Sequence, residues 1–81
     1  MPKVFDWRGY RFHFYSYEGS PREPIHVHVA KPGADAKFWL FPDVRLARNN
    51  GMSAREIRLL RSQIADRKAE IVEKWNAFFA E

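Results

Sequence analysis

The sequence contains no cysteine. This absence excludes a disulfide framework and any zinc site that depends on thiolates. A small domain without such cross-links is typical of a reducing compartment, and we therefore expect the protein to be cytoplasmic.

Long apolar stretches are also missing. No segment approaches the roughly 20 consecutive apolar residues that a helix needs to span a bilayer. The amino terminus, MPKVFDWRGYRF, has no apolar run of the kind found in a signal peptide. The sequence thus predicts a soluble protein with no signal peptide and no membrane partner.

The composition fits one small, basic domain over residues 1–81. Hydrophobic residues make up 46% of the chain and charged residues 30%, a mixture typical of globular proteins. Aromatic residues reach 16%, which lets a small core bury much area per side chain. Lys and Arg number 14 against 10 Asp and Glu, a net charge of +4 that favours acidic partners or polyanions.

The first half of the chain, residues 1–42, alternates between apolar and polar side chains. Period-two alternation with many aromatic residues predicts strands, about four in number. The first two strands are expected to form a hairpin about Arg8–Gly9. A further short strand is one interpretation of DVRLARNNG, before a turn. The predicted strand segments are VFDWR, YRFHFYSY, IHVHVA and AKFWLF.

The second half is predicted to be helical over residues 53–80. Ser53 followed by Glu56 is the pattern of a capping box, and apolar residues then recur at helical spacing. A single helix from Ala54 to about Phe79 is favoured, with a bend near Asp66 as the alternative. Together the two halves predict an α+β domain: a small, mostly antiparallel sheet with a long carboxy-terminal helix packed on one face.

The alternation assigns different chemistry to the two faces of this sheet. The core face, which the helix should cover, holds Phe5, Trp7, Phe12, Phe14, Ile25, Val27, Val29, Phe38 and Leu40. The opposite face is expected to be open to solvent and holds Arg11, His13, Tyr15, Tyr17, His26, His28, Lys37, Trp39 and Phe41. Rings, imidazoles and cations together suit a contact with protein or single-stranded RNA. The alternative is that edge loops or the carboxyl end cover this face.

Two histidines, His26 and His28, stand one residue apart in an otherwise apolar strand. Residues i and i+2 of a strand share a face, about 6–7 Å apart at Cα. His13 joins them if its strand is adjacent. Three interpretations stay open: a polar face or interface, acid–base catalysis of RNA cleavage by His26 and His28, and a metal site. Because no carboxylate sits at a clear spacing to orient the rings, no residue is assigned as a metal ligand, and no cofactor is predicted.

Arginines form a second basic element. Five arginines and a single acid, Glu56, lie between Val44 and Gln63. They are either a solvated helix face or a patch for phosphate or an acidic partner. The candidate binding residues from both elements are His13, Tyr15, His26, His28, Lys37, Trp39, Arg45, Arg48, Arg55 and Arg58.

Several segments resemble a small bacterial family, domain of unknown function 4160. They are MPKVF, GYRFHFYS, EPIHVHV, AKFWL and SAREIRLL…KAEIVEKWNAFF, and the Pro-x-His-x-His strand and the late tryptophan are the most specific. The resemblance implies a stand-alone cytoplasmic protein. It also implies a gene beside one that encodes domain of unknown function 2442, as in a toxin–antitoxin-like pair. It implies no activity and no catalytic residues.

The functional expectation is therefore a component of a two-protein module of toxin–antitoxin type. Its aromatic and histidine-bearing face would bind a small partner protein or RNA, and a homodimer is compatible with such a face. One alternative is a histidine-dependent ribonuclease, in which Arg45 or Arg48 steadies phosphate. Another is a metal-binding or structural module that uses His13, His26 and His28.

Overall fold

The computed structural model describes residues 2–15 and 23–80 and contains a five-stranded antiparallel sheet. The strands lie in sequential order, each paired with the next. Their bounds are Lys3–Trp7 (β1), Tyr10–His13 (β2), His26–Lys31 (β3), Ala34–Trp39 (β4) and Arg45–Asn50 (β5). The predicted α+β class is confirmed, with five strands where about four were predicted, because the segment DVRLARNNG contains the strand Arg45–Asn50.

The first hairpin turns where the sequence predicts it. Arg8 and Gly9 connect β1 to β2, and both have positive φ, at 51° and 83°. Two left-handed residues are the signature of the tight hairpin turn whose twist matches that of the strands. The pairing of Trp7 with Tyr10 closes the ladder beside this turn.

In the connection from β5 to the first helix, the backbone at Gly51 passes close to the backbone at Gly33. Gly51 has a φ of 92°, and a Cβ at this position would lie 3.3 Å from the carbonyl oxygen of Gly33. The Asn49 side chain bonds the backbone N–H of Met52 at 3.0 Å and its carbonyl oxygen at 2.9 Å. These contacts set the direction in which the chain leaves the sheet.

The helical region consists of two helices, Ala54–Asp66 (α1) and Lys68–Phe78 (α2). The capping box is confirmed: Glu56 N–H donates to Ser53 Oγ at 3.1 Å, and Ser53 N–H donates to Glu56 Oε1 at 2.9 Å.

The sequence favours one long helix, whereas the helical conformation is interrupted at Arg67 (φ −111°, ψ 23°), beside the alternative position. The Arg67 guanidinium lies 3.4 Å from the centre of the Phe5 ring and bonds both oxygens of Glu70, at 2.8 and 3.0 Å. At this interruption the Arg67 side chain contacts β1, and its ion pair partner Glu70 lies in the first turn of α2.

The helices cover the predicted core face. Phe12, Val27, Val29 and Phe38 are fully buried in one cluster with apolar residues of both helices. The helical members of the cluster are Ile57, Leu60, Ile64, Ile71 and Trp75. Burial of each large side chain contributes about 1.5–3 kcal/mol, so this layer is the main source of stability.

Candidate binding site

Strand pairing gathers the three histidines on the face opposite the core, which we call the histidine face. His13 pairs directly with His28, and their rings stack 5.5 Å apart. His28 also pairs with Lys37, and His26 with Trp39. Because cross-strand partners point to the same side, these side chains share one face, as predicted. Because β2 pairs with β3, the strand that carries His13 lies beside the strand that carries His26 and His28, a point that the sequence left open.

The expectation that the imidazoles face solvent is wrong. His13, His26 and His28 are only 2%, 0% and 4% exposed. Aromatic side chains explain this burial in part. The His26 ring lies 5.4 Å from the Trp39 ring and 5.1 Å from that of Trp75 in α2. The Tyr15 ring lies 4.4 Å from that of His28. Tyr17, also placed on this face by the sequence, lies outside the described residues.

This burial limits the chemistry open to the imidazoles. The His26 Nδ1 lies 2.9 Å from the Pro24 carbonyl oxygen, which can only accept, so Nδ1 is the donor. A general acid or base must come within hydrogen-bond reach of its substrate, and a fully buried His26 offers no such approach. Among residues 2–15 and 23–80, no group of three or more His, Asp or Glu side chains is arranged to hold a metal ion. Neither the ribonuclease nor the metal hypothesis gains support.

One solvent-accessible part of the histidine face is a basic strip formed by Lys37, Trp39, Arg45 and Arg48. Lys37 pairs with Arg48, and Trp39 pairs with Arg45. The two arginines are exposed, whereas Lys37 and Trp39 are half-buried. The Lys37 Nζ lies 4.4 Å from the centre of the Trp39 ring, which orders both side chains.

A β-bulge brings the two arginines of the basic strip to the same face. The register shifts so that Phe38 pairs with Leu46 and Ala47 has no cross-strand partner. Residues three apart in a regular strand point to opposite faces. The extra residue corrects this parity, so Arg45 and Arg48 both lie on the histidine face.

The cations of the basic strip differ in how they pair with acidic side chains. Within the described part of the chain, no acidic side chain forms a salt bridge with Arg45 or Arg48. Lys37 has Glu23 at 3.4 Å, and the nearby Asp35 accepts a hydrogen bond from Asn50 at 3.0 Å. Unpaired cations on one strand raise the local positive potential and attract anionic groups.

Arg55 and Arg58, also predicted to bind a partner, are not part of the basic strip. Both are exposed on α1, whose buried residues pack on the core face of the sheet. Leu59 is 43% exposed beside them. The predicted binding residues therefore fall into three groups: a buried cluster of histidines with Tyr15, the basic strip, and the exposed side of α1.

Sequence reasoning missed a polar network on the core face. Glu56 Oε2 accepts hydrogen bonds from Lys31 Nζ and, at 2.6 Å, from the Tyr10 hydroxyl. The bonds from Lys31, Tyr10 and the Ser53 backbone lower the pKa of the Glu56 carboxyl from 4.5 to about 2. The hydrogen bond to Glu56 also raises the pKa of Tyr10. Because these partners are distant in sequence, the capping box was the only local signal.

The surface also has an open depression of about 530 Å³. Its lining residues are Asp6, Gly9, Arg11, Ala30, Lys31 and Pro32. Lys31 is already bonded to Glu56, and Asp6 to Lys3 at 2.9 Å. None of the histidines lines it, so it gives them no access to a ligand.

A family model described as Domain of unknown function (DUF4160) matches residues 9–76. The chain belongs to the DUF4160 family. The match runs from the first hairpin turn into α2 and includes all the candidate binding residues. It confirms the resemblance found in the sequence and brings no activity with it. The comparisons with curated proteins and with solved structures found no match. None of the helices in the described residues is long and apolar enough to cross a membrane.

Proposed function

We propose that this DUF4160 protein is a binding component of a small cytoplasmic two-protein module of toxin–antitoxin type. The basic strip is its contact with an acidic surface of a partner protein. One observation carries the proposal: the histidine face buries its imidazoles and leaves Arg45 and Arg48 exposed, with no salt bridge to an acidic side chain among the described residues.

Buried histidines favour a binding function over catalysis. His26 and His28 are held among aromatic rings, where they contribute packing to the fold. An acid–base pair would need both imidazoles to reach a substrate phosphate. A binding module needs only a firm sheet behind its contact residues, and a packed imidazole layer provides one.

Lysine ammonium groups lie over the aromatic rings of Trp39 and Phe41, and this favours a protein partner over single-stranded RNA. RNA-binding platforms stack bases on open ring faces. In this protein, a lysine ammonium lies over the Trp39 ring, and the Lys68 Nζ lies 4.0 Å from the centre of the exposed Phe41 ring. These cations compete with bases for the rings, whereas arginines beside a partly buried tryptophan are common at protein interfaces.

The test is co-purification with the product of the neighbouring gene to which the family resemblance points. Both proteins are expressed together, and the tagged DUF4160 chain is purified with and without nuclease treatment. A stoichiometric protein complex that survives nuclease supports the proposal. Release of the second protein by nuclease would show that RNA holds the two together, and absence of the second protein from both preparations would reject the module.

A further inference from the structure

We infer that the partner adds an extended, acidic segment to the sheet as a sixth strand along β5. This inference rests on the proposed function and names how the partner binds. It depends on three features of the structure: an open sheet edge, the charge beside that edge, and an exposed apolar side chain on its other face.

The two edges of the sheet differ in how they are covered. At the β1 edge, Val4 and Phe5 are buried, and the Lys74 Nζ of α2 donates to the Val4 carbonyl oxygen at 2.6 Å. At the β5 edge, all six residues of Arg45–Asn50 are exposed, and within residues 2–15 and 23–80 β4 is the only strand that pairs with it. A free edge presents backbone N–H and C=O groups that another strand can pair with.

The side chains of β5 select what can pair with it. On the histidine face, a strand added to β5 would place its side chains opposite Arg45 and Arg48. Opposite charges at cross-strand positions are favourable. On the core face, Leu46 pairs with Phe38 and is 36% exposed, so it offers an apolar contact. The segment that fits therefore alternates acidic and apolar residues.

The same charges argue against a second copy of this chain as the occupant. Antiparallel pairing of two β5 strands would bring Arg45 and Arg48 of both copies together on one face. Like charges across a strand pair are destabilising, and arginines on an edge strand discourage self-association. The acidic segment must come from a different chain.

Synthetic peptides test this mode of binding without altering the protein. The probe is a short, capped, fluorescent peptide of alternating Glu and Val, and the control alternates Lys and Val. Two further probes carry N-methyl groups, one on every Glu and one on every Val. In an extended peptide, the N–H groups of Glu point to one edge and those of Val to the other, so each N-methylated probe lacks the hydrogen-bond donors of one edge. The net charge stays the same in both probes. The two probes should therefore differ in affinity only if the peptide binds by pairing one edge with β5.

The expected result is binding of the Glu peptide, at least tenfold weaker binding of the Lys peptide, and at least a tenfold difference between the two N-methylated probes. The Glu peptide should also slow hydrogen exchange of β5 amides. Equal affinity of the two N-methylated probes, or no change in β5 exchange, would overturn strand addition.

The proposed function can fail or survive separately. A nuclease-resistant complex with the neighbouring gene product, together with equal affinities of the two N-methylated probes, would reject strand addition and leave the proposed function standing. Absence of that complex would reject the proposed function. A concentration-dependent dimer of the protein in sedimentation, with β5 amides protected in the dimer, would make a second copy the occupant and overturn the inference.

Discussion

The ring of His26 lies 5.1 Å from the ring of Trp75, which connects the third strand to the last helix. Trp75 also meets Phe14 at 5.2 Å and Phe79 at 4.2 Å. A residue that strand alternation places opposite the core is thus packed against the carboxy-terminal helix. The imidazole cluster and the apolar core therefore both pack against Trp75, and the packing of both should depend on this residue.

Replacement of Trp75 should have a large effect on stability. Trp75→Ala removes a side chain that is 1% exposed, and such changes cost about 3–5 kcal/mol. Leu59→Ala is the control, because Leu59 is 43% exposed and its loss should cost less than about 1 kcal/mol. Urea unfolding followed by circular dichroism measures both. Similar midpoints for the two variants would contradict the packing described for α2.

The histidines should resist chemical modification in the folded protein. The chain has three histidines, and all three are buried. Diethyl pyrocarbonate should acylate them far more slowly than free N-acetylhistidine at neutral pH, and rapidly once urea unfolds the chain. Mass spectrometry of peptides locates the adducts. Modification of His26 in the native protein at the rate of the free compound would show that the ring is accessible.

Glu56 should make stability depend on pH in the acid range. Its folded pKa of about 2 lies below the usual 4.5, so its ionised form is favoured by folding. This contribution is fully present above about pH 5 and is lost as the pH falls through 4.5 towards 2. The difference in melting temperature between wild type and Glu56→Gln should shrink over that interval.

Glu73→Gln is the control for the pH series, because Glu73 is exposed on α2 and none of the described ion pairs includes it. Its melting temperature should follow that of the wild type at every pH. A Glu56→Gln difference that stays constant from pH 6 to pH 2 would show that the bonds from Lys31 and Tyr10 do not favour the ionised carboxyl.

Replacement of Trp39 should weaken binding of the partner more than replacement of its exposed neighbour Phe41. Trp39→Ala removes the ring beneath Lys37 and should weaken binding of the neighbouring gene product at least tenfold. Phe41→Ala is the matched control, because Phe41 is 50% exposed and lies outside the basic strip. Biolayer interferometry on variants with measured melting curves separates binding from folding. Equal loss in both variants would contradict the assigned role of the strip.

Local patterns in the sequence predicted the features that depend on near neighbours. The turn at Arg8–Gly9, the Ser53–Glu56 capping box and the buried alternation of Phe12, Val27 and Phe38 all follow from short-range chemistry. The shared face of His26 and His28 follows from the pleat of a strand.

The remaining features depend on contacts between distant parts of the chain. Alternation tells which side of a sheet a residue takes but not whether that side is covered, so covering by the carboxyl end, as of His26 by Trp75, stood only as the alternative. The register shift at Ala47 has no glycine to mark it. Glu56 meets Tyr10 and Lys31 only after α1 packs on the sheet. At the break between the helices, Arg67 contacts Phe5, which is far away in sequence.

The most direct test of the account is a calorimetric titration of the neighbouring gene product into a double charge reversal, Arg45→Glu with Arg48→Glu. The matched control is Arg55→Glu with Arg58→Glu on α1, which changes the net charge equally. We expect the first variant to bind at least a hundredfold more weakly with little change in melting temperature, and the second to bind within about threefold of wild type. Unchanged affinity in the first variant, or equal loss in both, would contradict the claim that the basic strip holds the partner.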